Sequence, residues 1–177
     1  MSGQALTYNL MLIGFMGAGK STVAKYLNEA YGMEIVEMDQ WIEEREGMKI
    51  SEIFAKHGEP YFRNLETGLL IELQEKKNVI ISCGGGVPMR EENVREMKKN
   101  GRTVLLTATP ETILARVQDN DDRPLLHGNK NVEFIRDMME KRREKYEAAA
   151  DLKVATDGKT AQEIGEEIMT RLGEIGE

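Results

Sequence analysis

Nine residues near the start of the chain, Gly14-Phe15-Met16-Gly17-Ala18-Gly19-Lys20-Ser21-Thr22, restrict its fold more than any other stretch. They fit G-x-x-x-x-G-K-[ST], the phosphate-binding P-loop. Before them runs Asn9-Leu10-Met11-Leu12-Ile13, a short apolar run that reads as a buried strand. After them Val23, Ala24, Leu27 and Ala30 recur at helical spacing, which predicts a helix over Ser21–Ala30. Strand, glycine turn, helix is the context the motif requires. Glycines let backbone N–H groups close around phosphate oxygens, and the helix N-terminus adds the positive end of its dipole. Lys20 has the reach for β- and γ-phosphates, and the Ser21 hydroxyl can ligate Mg²⁺.

The remaining chain continues the alternation. A second strand is expected over Met33–Met38, ending at Asp39, with a helix over Gln40–Glu46 that stops at Gly47. Glu37 and Asp39 would then share one strand face near the carboxyl end, where open α/β sheets bind ligands. The plainer role for Asp39 is a helix N-cap. Ile50–Lys56 reads as a short helix broken at His57-Gly58, and Glu59-Pro60 opens another that ends near Lys77. Arg63 stands at i,i+4 from Glu59 and i,i+3 from Glu66, which alone describes a solvated ion-pair row.

Val79–Cys83 is the third strand, followed at once by Gly84-Gly85-Gly86, a turn that lets a ligand approach the backbone. Cys83 reads as a buried strand residue. A polar helix over Glu91–Asn100, a strand over Thr103–Thr107 and a helix opened by Pro110 come next. Residues 118–130 form a long polar stretch without periodicity, the pattern of a lid, and it contains Arg123. A helix over Val132–Ala150, a strand over Leu152–Ala155 and a helix over Ala161–Leu172 complete one α/β domain, 1–177, with a parallel sheet.

Composition excludes several classes. Of the 177 residues 40% are hydrophobic and 31% charged, and no apolar run approaches a membrane span. Met1–Thr7 lacks the basic and apolar regions of a signal peptide, so the cytoplasm is expected. A net charge of −7 argues against nucleic acid, and the single cysteine excludes an internal disulfide framework. His57 and His127 lack metal-ligand spacing. Asn129-Lys130 begins a guanine-reading Asn-Lys-x-Asp pattern, which fails at Val132.

Beyond the P-loop, five pieces occur in order: Asp39-Gln40-Trp41-Ile42-Glu43, Gly58-Glu59-Pro60-Tyr61-Phe62-Arg63, Gly84-Gly85-Gly86, Arg123-Pro124-Leu125-Leu126, and Arg142 four residues before Tyr146. With them the chain resembles the shikimate kinases from Leu10 to Leu172. The resemblance implies a P-loop NTPase fold, a five-stranded parallel sheet of order 2-3-1-4-5 flanked by helices, with a lid at about 118–130 and a substrate-binding region at about 39–66. It implies transfer of the γ-phosphate of ATP to the 3-hydroxyl of shikimate, with Mg²⁺ as cofactor. Gly17, Ala18, Gly19, Lys20, Ser21 and Thr22 would bind ATP, with Arg116 against adenine and Arg123 reaching the phosphates from the lid. Asp39 would hold the acceptor hydroxyl. Arg63, Arg142 and the turn Gly84, Gly85, Gly86 would hold the rest of shikimate. Ser21 would touch the metal, and Glu37, where the family usually carries Asp, would reach it through water. Shikimate and ATP are the expected partners of a monomer, without nucleic acid or membrane. Two other readings stand beside this one: a P-loop kinase for another polyol acid such as gluconate, and a nucleotide-dependent switch without kinase activity.

The pair Arg142-Arg143 carries a geometric expectation. Neighbours on a helix point about 100° apart. Arg142 shares a face with Met139 and Tyr146, whereas Arg143 shares one with Glu140 and Glu147. Arg142 is therefore expected at the site and Arg143 in solvent.

Overall fold

A computed structural model describes residues 5–117 and 131–175. Its five strands are β1 (Asn9–Ile13), β2 (Glu34–Glu37), β3 (Val79–Ser82), β4 (Gly101–Thr107) and β5 (Leu152–Ala155). All pairs are parallel and the order is β2-β3-β1-β4-β5, as the resemblance implies. Burial separates the interior strands from the edges. Every residue of β1 and of β3 is buried, as interior strands of a parallel sheet covered by helices require. β5, with alternate buried and exposed residues, and β2, with one buried residue, form the edges.

The described helices are α1 (Lys20–Tyr31), α2 (Met38–Glu46), α3 (Ile50–His57), α4 (Glu59–Glu72), α5 (Glu91–Lys99), α6 (Pro110–Val117), α7 (Val132–Ala149) and α8 (Ala161–Ile175). α1 packs on α8, α3 on α4, and α6 on α7. Leu10, Leu12, Ile13, Leu27, Leu70, Ile80 and Ile81 lie at the centre of one core that spans the sheet. No helix among the described residues is long and apolar enough to cross a membrane.

Several boundaries differ from the sequence expectation. α2 begins at Met38 with Glu37 as its N-cap residue, so Asp39 lies in the first helical turn and not at a strand end. Asp39 and Glu37 therefore do not share a strand face, and Asp39 is not the N-cap. The fully buried Met38 turns the chain here, because helical spacing lets Met38 and Ile42 face the core together. α4 ends at Glu72 and a 3₁₀ turn, Leu73–Glu75, finishes the segment read as helix to Lys77. Another 3₁₀ turn, Val87–Met89, follows the triple glycine. Residues 118–130, the expected lid with Arg123, lie outside the described residues.

Candidate active site

The P-loop leaves β1 at the middle of the sheet and enters α1 through Gly19, the N-cap residue, at φ 107°. A side chain is strained in that left-handed region, so the turn into the helix depends on glycine here. Two outside groups brace the loop. Arg116 Nη1 donates to Gly17 O at 2.9 Å, and Thr156 Oγ1, just past β5, sits 3.1 Å from Ala18 O and 3.0 Å from Thr107 O, sharing its proton between them. The Lys20 ammonium rests on the carbonyls of Gly14 at 2.7 Å and Phe15 at 3.2 Å.

A cavity of about 670 Å³ opens over the carboxyl ends of β1, β2 and β3. Gly17, Ala18, Gly19, Lys20, Ser21 and Thr22 border it on one side. Asp39, Arg63, Glu66, Gly84, Gly85, Gly86 and Arg142 border it on the other, and Glu37 and Arg116 also line it. Residues scattered over more than a hundred positions thus meet at one hollow. Phe54 and Phe62 add an apolar wall.

The triple glycine is the hinge of the acceptor side. A Cβ at Gly84 would lie 2.8 Å from Asp39 Oδ1 and 3.1 Å from Glu66 Oε2, and one at Gly85 would lie 2.9 Å from Arg142 Nη1. One at Gly86 would collide with the Arg63 guanidinium. Any side chain on this turn would displace the charged groups around it, so close approach selects glycine.

Arg63 is not part of a solvated row. Its side chain is 17% exposed and that of Glu66 is 0% exposed, and Nη1 donates to Glu66 Oε1 at 2.8 Å. Glu59 accepts from the same guanidinium at 3.1 Å from the solvent side. Burial pushes the Glu66 carboxyl up to about 7, against the pull of Arg63 and with some help from the Asp39 charge. Glu66 Oε2 is buried with no hydrogen-bond partner among the described residues, an acceptor left beside the cavity.

Arg142 and Arg143 divide as the helical geometry predicts. Arg142 is half-buried, lies 5.7 Å over the Phe15 ring, and donates to Tyr146 Oη at 3.2 Å. Arg143 is exposed and pairs with Glu140 at 2.7 Å. Glu147, expected in the same row, pairs with Lys153.

Sequence reasoning missed the Tyr146 hydroxyl. It placed Tyr146 on the inward face of its helix and gave the hydroxyl no role, yet the hydroxyl donates to Gly85 O and pins the glycine turn to α7. The i,i+4 spacing from Arg142 was the available signal. It also missed Thr156, because a buried threonine after an edge strand has no pattern of its own. Cys83 is buried as expected, and burial raises its thiol far above the ordinary range, leaving it inert.

A phosphate-binding loop facing a pocket bordered by Asp39 and Glu66 and by the partly buried Arg63 and Arg142 marks a P-loop kinase for a small anionic acceptor. The family model described as "Shikimate kinase" matches residues 16–173. A shikimate kinase of Persephonella marina is 44% identical over 164 residues, covering 93% of this chain and 98% of that one. The chain belongs to the shikimate kinase family. Two solved relatives superpose closely. The Acinetobacter baumannii enzyme in complex with shikimate has a TM-score of 0.89 at 33% identity, covering 95% of this chain and 94% of that chain. The Aquifex aeolicus enzyme has a TM-score of 0.78 at 37% identity, covering 94% of this chain and 97% of that one.

Proposed function

We propose that this chain transfers the γ-phosphate of ATP to the 3-hydroxyl of shikimate. The observation that carries the reading is the triple-glycine turn with Asp39 and Glu66, Arg142, and Arg63 packed against its three successive residues. That spacing suits a small ring bearing one carboxylate and several hydroxyls. Arg63 and Arg142 hold the carboxylate by charge-assisted hydrogen bonds, which are the strong kind. Glu66 fixes Arg63 and offers its second oxygen to a ring hydroxyl. Asp39 accepts a hydrogen bond from the 3-hydroxyl and aligns it with the P-loop. Alignment is most of what phosphoryl transfer asks of a protein. The hydroxyl oxygen bonds to the γ-phosphorus as the bridging bond to the β-phosphate breaks, ADP departs, and Asp39 takes the hydroxyl proton.

Gly17, Ala18, Gly19, Lys20, Ser21 and Thr22 take the phosphates. Lys20 moves from its carbonyl contacts to the transferring group, where it stabilises charge. Arg116 faces the nucleoside side; Arg123 and the expected lid over 118–130 lie outside the described residues. The Ser21 hydroxyl and the Glu37 carboxylate border the same cavity. Both are hard oxygen donors of the type Mg²⁺ takes, and Glu37 suits a contact through water. When bound, Mg²⁺ would neutralise charge on the β- and γ-phosphates. Residues 1–177 are read as one kinase domain, working as a cytoplasmic monomer. The family match over most of the chain supports the single domain.

The test is ADP release with Mg-ATP and shikimate, with the product checked as shikimate 3-phosphate. Release that depends on shikimate and not on gluconate is the expected result. Nucleotide binding without acceptor-dependent release would favour the switch reading instead.

A further inference from the structure

Behind the acceptor pocket lies a buried polar network that the roles above leave unused. Asn93 of α5 is fully buried, and Thr67 of α4 is buried one turn after Arg63. Thr67 Oγ1 stands 2.6 Å from Asn93 Oδ1 and 3.1 Å from the Arg63 carbonyl. Asn93 Nδ2 donates to Val87 O at 2.9 Å, inside the 3₁₀ turn that continues Gly84–Gly86. Arg90 Nη1 donates to Thr67 Oγ1 at 3.0 Å, to Asn64 Oδ1 at 2.9 Å and to Arg63 O at 3.3 Å.

The proton inventory is tight. A hydroxyl has one proton. Asn93 Nδ2 is committed to Val87 O, so Asn93 Oδ1 faces Thr67 and takes that proton at the shorter distance. A lone pair of Thr67 Oγ1 receives Arg90 Nη1. One amide thus joins the helix turn that carries Arg63 to the glycine turn that Arg63 packs against. Buried polar groups satisfied on all sides fix a unique arrangement, because any shift leaves a costly unpaired atom.

A solvated helix would not need this link to stay folded. α4 already buries Phe62, Leu69 and Leu70 on the core. What the network adds is the register of one turn of α4 against residues 84–89. On the other flank Tyr146 and Lys145 of α7 donate to Gly85 O and Met89 O, the latter at 3.1 Å. The turn 84–89 is therefore tied to both helices that carry an arginine of the acceptor pocket.

We propose that Thr67 and Asn93 are positioning residues for acceptor binding: the Thr67–Asn93–Val87 chain holds Arg63 at the glycine turn and so sets the separation of the two arginines. This rests on the reading that Arg63 grips the acceptor carboxylate. Neither residue touches the cavity, so each acts through Arg63.

The experiment is a double-mutant cycle read by calorimetric titration of shikimate and of an ATP analogue into the full chain. Thr67→Val keeps the shape of the side chain and removes the hydroxyl. It should weaken shikimate binding about tenfold, the equivalent of about 1.4 kcal/mol. ATP-analogue affinity should stay within twofold or so, and Thr67→Ser should restore shikimate affinity. Asn93→Asp, which keeps the acceptor and loses the donor to Val87 O, should also weaken shikimate selectively. In an Arg63→Ala background Thr67→Val should have no further effect, since coupled residues are not additive. Equal loss of both ligands, a fall in melting temperature with unchanged shikimate affinity, or an undiminished Thr67→Val effect beside Arg63→Ala would each overturn the proposal. If Arg63→Ala alone leaves shikimate affinity intact, the functional reading fails instead, and the two failures are thereby distinguished.

Discussion

Removing Arg142 should cost acceptor affinity and little else. Its guanidinium is half-buried over the Phe15 ring, keeps one hydrogen bond to Tyr146, and approaches the Gly85 backbone. No carboxylate among the described residues pairs with it, unlike Arg63, which has two. A bound carboxylate about 4 Å away gains roughly 4 kcal/mol at an effective dielectric near 20. Truncating one partner of a desolvated pair costs roughly 2–5 kcal/mol. Partial exposure and the surviving Arg63 put Arg142→Ala near the low end, about 2–3 kcal/mol, or roughly 30- to 150-fold in shikimate Kd. Arg143, exposed and paired with Glu140, should stay within about 0.5 kcal/mol of wild type as alanine. Calorimetric titration of shikimate into both variants measures this, with the ATP KM as internal control. An Arg143→Ala loss equal to or larger than that of Arg142→Ala would refute the helix register argument. Equal loss of shikimate and ATP affinity in Arg142→Ala would refute its assignment to the acceptor.

Lys20→Ala and Asp39→Asn should both abolish most turnover, with shikimate binding better preserved in Lys20→Ala; equal loss of shikimate affinity would contradict the division of labour. Glu37→Gln should raise the Mg²⁺ concentration needed for half-maximal rate while Glu37→Asp leaves activity largely intact. An unchanged Mg²⁺ titration in Glu37→Gln would make the residue structural. Glu66 predicts a pH effect on stability. Burial raises its carboxyl from 4.5 to about 7, so the folded protein holds that proton more tightly than the unfolded chain. The resulting stabilisation is complete below the unfolded value and is lost as pH rises through about 7, roughly 3 kcal/mol in all. Glu66→Gln should flatten that portion of a denaturant-unfolding series, and a wild-type slope in the variant would show that another group titrates there.

Legibility in the sequence followed the range of the forces involved. The P-loop depends on local turn chemistry and is visible in one short window, whereas the strand order came only with the family resemblance. The Arg142 and Arg143 split was legible because helix geometry alone decides which side chain faces Tyr146. The start of α2 was not, because Met38 is drawn into helix by a core that no local window displays. Glu66 beside Arg63 reads equally as a surface ion pair at i,i+3. Only its full burial, set by packing against the glycine turn, distinguishes it. Asn93 sits in a helix whose sequence is almost wholly polar, EENVREMKK. Val94 and Met97 are its only apolar signs of an inward face.

The charge balance at the pocket bears on what the acceptor can be. The chain as a whole carries −7, so an anion reaches the cavity against the global field and depends on local cations. Arg63 is held by Glu59 from solvent and by the buried Glu66 carboxyl from within. Its charge orients a carboxylate more than it attracts one. Arg142 meets a phenol and an aromatic ring, which leave its charge uncancelled among the described residues. Arg142 therefore offers a carboxylate a cation that no carboxylate among the described residues pairs with. A monocarboxylate with neutral hydroxyls matches that balance. A dicarboxylate would bring a second charge towards the buried Glu66 carboxyl, which burial already makes reluctant to ionise. Selection of the acceptor thus falls on charge number as well as shape.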